Sequence, residues 1–67
     1  MNARKYTPPL DPNLAIKVDA LDDAAQEFFQ ERSGVRQYDG GLSRAEAEEG
    51  AWTDTLHYLE QRDAAGN

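Results

Sequence analysis

There is no cysteine in this 67-residue chain. Disulfide staples and thiolate metal sites are therefore excluded, and the composition fits a reducing, cytoplasmic setting. No apolar run approaches the roughly 20 residues that a membrane-spanning helix needs. Arg4 and Lys5 lie near the start, but no apolar stretch follows them, so a signal peptide is not expected. Histidine occurs once, at His57, and one imidazole cannot make a zinc site of three or four nitrogen or sulfur ligands. Neither Ser33 nor Ser43 makes a catalytic triad with it, because both stand at helix-end positions that already explain them. Gly40 and Gly41 lack the strand and lysine of a phosphate loop. Glu48 and Glu49 are sequence neighbours and point apart on a helix, so they are no working carboxylate pair. The expectation is a non-enzymatic chain with no cofactor and no metal. Positive charge is scarce too: 7 basic residues stand against 13 acidic ones, a net charge of −6. Such a chain is repelled by nucleic acid and by anionic membranes, so the expected partner is a protein, with a basic, nucleic-acid-binding protein as the candidate.

What the chain does have is one strongly marked turn. Residues 38–43 read as a helix stop followed at once by a helix start. Adjacent Gly40 and Gly41 suit the left-handed residue that closes many helices, and Asp39 can tighten the turn through its side chain. Ser43 is placed as an N-cap with Glu46 three residues on, the reciprocal capping box. Leu42 before the cap and Ala47 after it form a small hydrophobic staple.

On either side lie two helical arms. Residues 1–10 read as an irregular extension, because Pro8 and Pro9 oppose helix, with Tyr6 and Leu10 available to pack on the body. Asp11 and Pro12 then suit an N-cap and first helical position. Over residues 12–37, Leu14, Val18, Leu21, Ala25, Phe28 and Val35 share one helical face, with Arg32 in the gap and Ala24 and Phe29 widening it. A break near Asp19 is the alternative to one continuous helix. The second helix spans residues 44–62. Ala47, Ala51, Thr55 and Tyr58 form one stripe on it, and Ala45, Trp52, Leu56 and Leu59 form another. Glu46, Glu49, Thr53, His57, Glu60 and Gln61 take the polar side, and residues 63–67 read as a fraying end. The expected fold is all-α: a small antiparallel helical hairpin with an extended, proline-containing N-terminal arm. A chain this short buries only about 60% of its unfolded surface, so help from the arm or from another chain is expected.

Two surfaces stand out as partner sites. Asp19, Asp23, Glu27 and Glu31 recur every fourth residue, with Asp22 beside them. Their axial spacing is about 6 Å at a rise of 1.5 Å per residue, and like charges so placed destabilise a helix by about 0.2–0.5 kcal/mol per pair. The row is either a solvated face or a mimic of a phosphate backbone offered to a basic groove. The second surface is apolar. Phe29, Trp52, Leu56 and Leu59 exceed what one helix seam covers, which predicts docking to a partner or homodimerisation.

The central residues Glu31, Arg32, Val35, Tyr38, Asp39, Gly40, Gly41, Leu42, Arg44, Ala47 and Glu48 also form a pattern. Over residues 27–52 the chain resembles a helix–turn–helix segment of small proteins from bacterial plasmids, phages and other mobile elements. It departs from that pattern at Gly34, where an aliphatic residue is usual, and at Gln37, where an acid is usual. The resemblance implies a mobile-element setting and carries over no activity or site. Small acidic proteins of that setting include anti-CRISPR inhibitors, some of which mimic DNA, and that analogy supplies the alternative to a plain interaction module.

Overall fold

The computed structural model describes residues 8–66, whose regular structure is entirely helical: α1 (Pro12–Asp19), α2 (Asp23–Tyr38) and α3 (Arg44–Gly66). Tyr6 lies outside the described residues. Residues 8–11 lead into α1 without helical structure. The Asp11 carboxylate accepts the Asn13 N–H at 2.9 Å, and Pro12 takes the first helical position, where its missing N–H costs nothing.

The first arm is two helices rather than one over residues 12–37. The Ala20 N–H donates to the Ile16 and Lys17 carbonyls, and the Leu21 N–H to that of Val18, which tightens the last turn of α1. Asp22 is extended, at φ −72° and ψ 172°, and accepts the Ala25 N–H at 2.9 Å as the N-cap of α2. An aspartate does better at a cap than inside a helix, where its side chain competes for backbone partners. Gln26 closes the break from the other side. Its Nε2 donates to the Val18 and Asp19 carbonyls at 3.0 and 3.3 Å.

α2 buries Ala25, Phe29 and Ser33, at every fourth residue. Phe29, expected at a partner surface, is instead wholly enclosed at 0% exposure, while Phe28 is only half-buried. Val35, expected on the buried face, is exposed.

The junction between α2 and α3 is closed by backbone bonds. The Asp39 and Gly40 N–H groups donate to the Val35 carbonyl at 2.8 and 3.2 Å, and the Leu42 N–H to that of Arg36 at 3.3 Å. Asp39 contributes through its backbone and not through the side-chain bond expected of it. Gly41 is left-handed at φ 70°, where a side chain is strained. Gly40 is needed for space: a Cβ there would lie 2.7 Å from the Arg36 carbonyl oxygen. Ser43 Oγ accepts the Glu46 N–H, and Glu46 Oε1 accepts the Ser43 N–H, each at 3.2 Å, so both halves of the capping box form. Leu42 is half-buried and Ala47 fully buried.

Along α3, Ala47, Ala51 and Thr55 face inward with no exposed surface. The buried Thr55 hydroxyl donates to the Ala51 carbonyl at 2.7 Å. Glu46, Glu49, Thr53, His57, Glu60 and Gln61 face solvent, as the amphipathic pattern requires. The helix runs on to Gly66 instead of stopping at Arg62, because Ala64 and Ala65 are strong helix formers. Its small inner residues let α2 approach closely. Phe28 stacks on Tyr58 at 4.5 Å between ring centres, and Asp22 meets Arg62 at 2.9 Å. Leu14, Val18, Phe29 and Ala51 form the core, with Leu21 and Trp52 packed against it.

Candidate interaction surfaces

The break in the first arm divides the acidic row. Asp19 ends α1, whereas Asp23, Glu27 and Glu31 stand on α2, all four exposed. Asp22 does structural work. It caps α2 and pairs with Arg62, and the N–H of Ala25, then Arg62, hold its carboxyl below the usual range against the opposing effect of desolvation. What remains on one rod is three carboxylates, on the side of α2 opposite Ala25, Phe29 and Ser33.

The apolar set divides too. Phe29 belongs to the core, and Trp52 is half-buried, packed against it from α3. Part of the cover for Trp52 comes from α1, whose Lys17 ammonium lies 5.9 Å from the indole ring centre. Leu59 is half-buried, and Leu56 stays 43% exposed. Trp52, Leu56 and Leu59 fall at i, i+4 and i+7 on α3, so they form one edge, with Leu56 as its open part.

Two polar clusters were not expected from the sequence. In the first, Asp54 accepts from Arg36 Nε at 2.8 Å, Arg36 Nη2 at 3.0 Å and Arg32 Nε at 3.1 Å. The hydrogen bonds from Arg36 above all, with those of Arg32, hold the Asp54 carboxyl down at about 2 although burial raises it. Gly50 makes room for this pair, since a Cβ there would sit 2.8 Å from Arg36 Cδ, Nε and Cζ. Phe28, Arg32, Asp54, His57, Tyr58 and Gln61 line an open groove of about 430 Å³ beside it, with His57 exposed to solvent.

The second cluster fastens the extended segment. Glu48, 6% exposed, accepts the Leu10 N–H at 2.9 Å and the Arg44 Nε at 2.9 Å. Arg44 Nη2 donates to the Pro8 carbonyl at 2.6 Å. Pro9 is buried between these contacts, while the Leu10 side chain is 57% exposed. A buried carboxylate is tolerated because it is paired and hydrogen-bonded on both sides. The one signal in the sequence was the i, i+4 spacing of Arg44 and Glu48.

Among the described residues no group of three or more His, Cys, Asp or Glu could hold a metal ion, and no helix is long and apolar enough to cross a membrane. No protein-family model, curated protein or solved structure matches the chain.

Proposed function

We propose that this chain is a non-enzymatic, acidic interaction module: a small antiparallel helical hairpin, braced by its N-terminal segment, that docks a protein partner through the apolar edge of α3. The observation that carries the reading is Leu56, a large apolar side chain left 43% exposed beside half-buried Trp52 and Leu59 after α1 and α2 have packed. Partner-facing surfaces commonly have this composition, an apolar centre that includes an aromatic, with charged residues around it. The setting suggested by the resemblance is a bacterial mobile element and the compartment the cytoplasm.

The three exposed carboxylates of α2 favour a second reading, an anti-CRISPR-like or other nucleic-acid mimic that occupies a basic groove of a host protein. The two readings separate in a retention experiment on bacterial lysate. The parent is compared with Leu56→Gln and with the double variant Asp23→Gln, Glu27→Gln. The docking reading expects a protein retained by the parent and the acid variant and lost with Leu56→Gln, with little salt dependence. The mimic reading expects the reverse, with retention that falls steeply as salt rises. Retention unchanged in both variants would contradict both readings.

A further inference from the structure

The apolar stripe of the first arm runs through the break without interruption. Leu14, Val18, Leu21 and Ala25 keep helical spacing across residues 20–22, and neither proline nor glycine stands between Asn13 and Ser33. Ala20 is already helical, at φ −79° and ψ −8°. Asp22 is extended, at ψ 172°. The bend is held by side chains instead: the Asp22 cap on Ala25, the Asp22–Arg62 pair, and the Gln26 amide on the Val18 and Asp19 carbonyls. In a straight helix those two carbonyls would accept the N–H groups of residues 22 and 23 instead.

We propose that residues 20–22 are a two-state hinge, and that the straightened form exchanges α1, with residues 8–11, for the same segment of a second copy of this chain. Straightening makes one helix from Pro12 to Tyr38 and strips α1 from Phe29, Ala51 and Trp52. The surface so exposed fits Leu14 and Val18, because it packs against them in the bent form. The clasp at Arg44 and Glu48 accepts the backbone of residues 8 and 10, and a second copy presents that same backbone. Exchange therefore restores the packing of Leu14 and Val18 and the clasp at Arg44 and Glu48, and loses the Asp22 cap, the Asp22–Arg62 pair and the Gln26 bonds. Domain swapping of this kind is a low-cost route to a dimer. It is distinct from docking at Leu56, which lies outside the exchanged contacts.

The test uses the full chain and two opposed substitutions, followed by sedimentation and far-ultraviolet circular dichroism. Asp22→Ala removes the cap and leaves a strong helix former. Its monomer–dimer constant is expected to shift about thirtyfold toward dimer, the size of two lost caps because each dimer straightens two hinges, with a rise in helicity. Asp23→Pro places proline at the first position of α2, where it is tolerated, and confines Asp22 to its extended geometry. That variant is expected to keep the parent helicity and stay monomeric at concentrations where Asp22→Ala associates. If Asp22→Ala fails to fold, Gln26→Leu replaces it, because it loosens the bend and leaves the cap in place. A folded hinge variant that stays monomeric at parent helicity overturns the proposal. So does an Asp23→Pro chain that dimerises as readily as the hinge variant, which would place the contact elsewhere.

Discussion

The two junctions of this fold are built in opposite ways. Between α2 and α3 the chain turns on local chemistry: Gly41 at φ 70°, Gly40 against the Arg36 carbonyl, and the reciprocal bonds of Ser43 and Glu46. Each partner lies within a few residues, so the turn is specified locally. Between α1 and α2 no glycine or proline enforces the bend. It depends on Asp22, on Gln26 reaching back to Val18 and Asp19, and on Arg62, distant in sequence. A junction whose bonds are all local in sequence persists when its surroundings are disturbed. One that also leans on Arg62, 40 residues from Asp22, holds only while α3 stays packed.

The largest effect should come from removing the residue on which both sides lean. Phe29 is fully buried and packs with Leu14, Val18 and Ala51. Phe29→Ala should cost about 3–5 kcal/mol, and thermal melting should show the loss. If the comparison holds, partial denaturation of this variant releases α1 before the turn at residues 39–43 opens.

Smaller losses should follow at the locally built junction. Gly41→Val forces a β-branched residue into a left-handed conformation and should cost about 2 kcal/mol or more. Ser43→Ala removes half of the capping box and should cost about 0.5–2 kcal/mol. Denaturant titration measures both. Unchanged midpoints would mean that the turn does not constrain the fold.

Legibility in the sequence followed the same division. Ser43, Glu46 and the two glycines were readable because cap and turn chemistry act over three or four residues. The inner stripe of Ala47, Ala51 and Thr55 was readable from period alone. The phase of α2 was not, because Phe28 and Phe29 both lie at helical spacing from Ala25 and period alone does not choose between them. Phe28 and Phe29 therefore exchanged roles between expectation and structure. Glu48 looked equivalent to exposed Glu49 until the Leu10 N–H, from 38 residues away, was seen to reach it. Arg36 and Asp54, on different helices, could be matched only once the helices were placed.

The smallest effect concerns a contact between α2 and α3 that belongs to neither junction. Asp54, 22% exposed, titrates at about 2, below its ordinary 3.8. A depressed carboxylate contributes its stability above the ordinary value and loses it as pH falls through the depressed one. Asp54→Asn should therefore cost about 1 kcal/mol at neutral pH, after allowance for solvent screening. The difference from the parent should shrink between pH 4 and pH 2, roughly the interval between those two values. A difference constant over that interval would mean that the carboxylate charge is not what binds Arg36 and Arg32.

The contrast between the junctions is tested most directly by native-state amide hydrogen exchange, read residue by residue. The Ala20, Leu21 and Gln26 N–H groups, at the bend, should exchange through an opening of lower free energy than the Asp39 and Ala47 N–H groups, which flank the glycine turn and donate to Val35 and Ser43. α1 should open with the bend as one unit. Equal protection at the two junctions, or earlier opening at Asp39 and Ala47, would contradict that contrast.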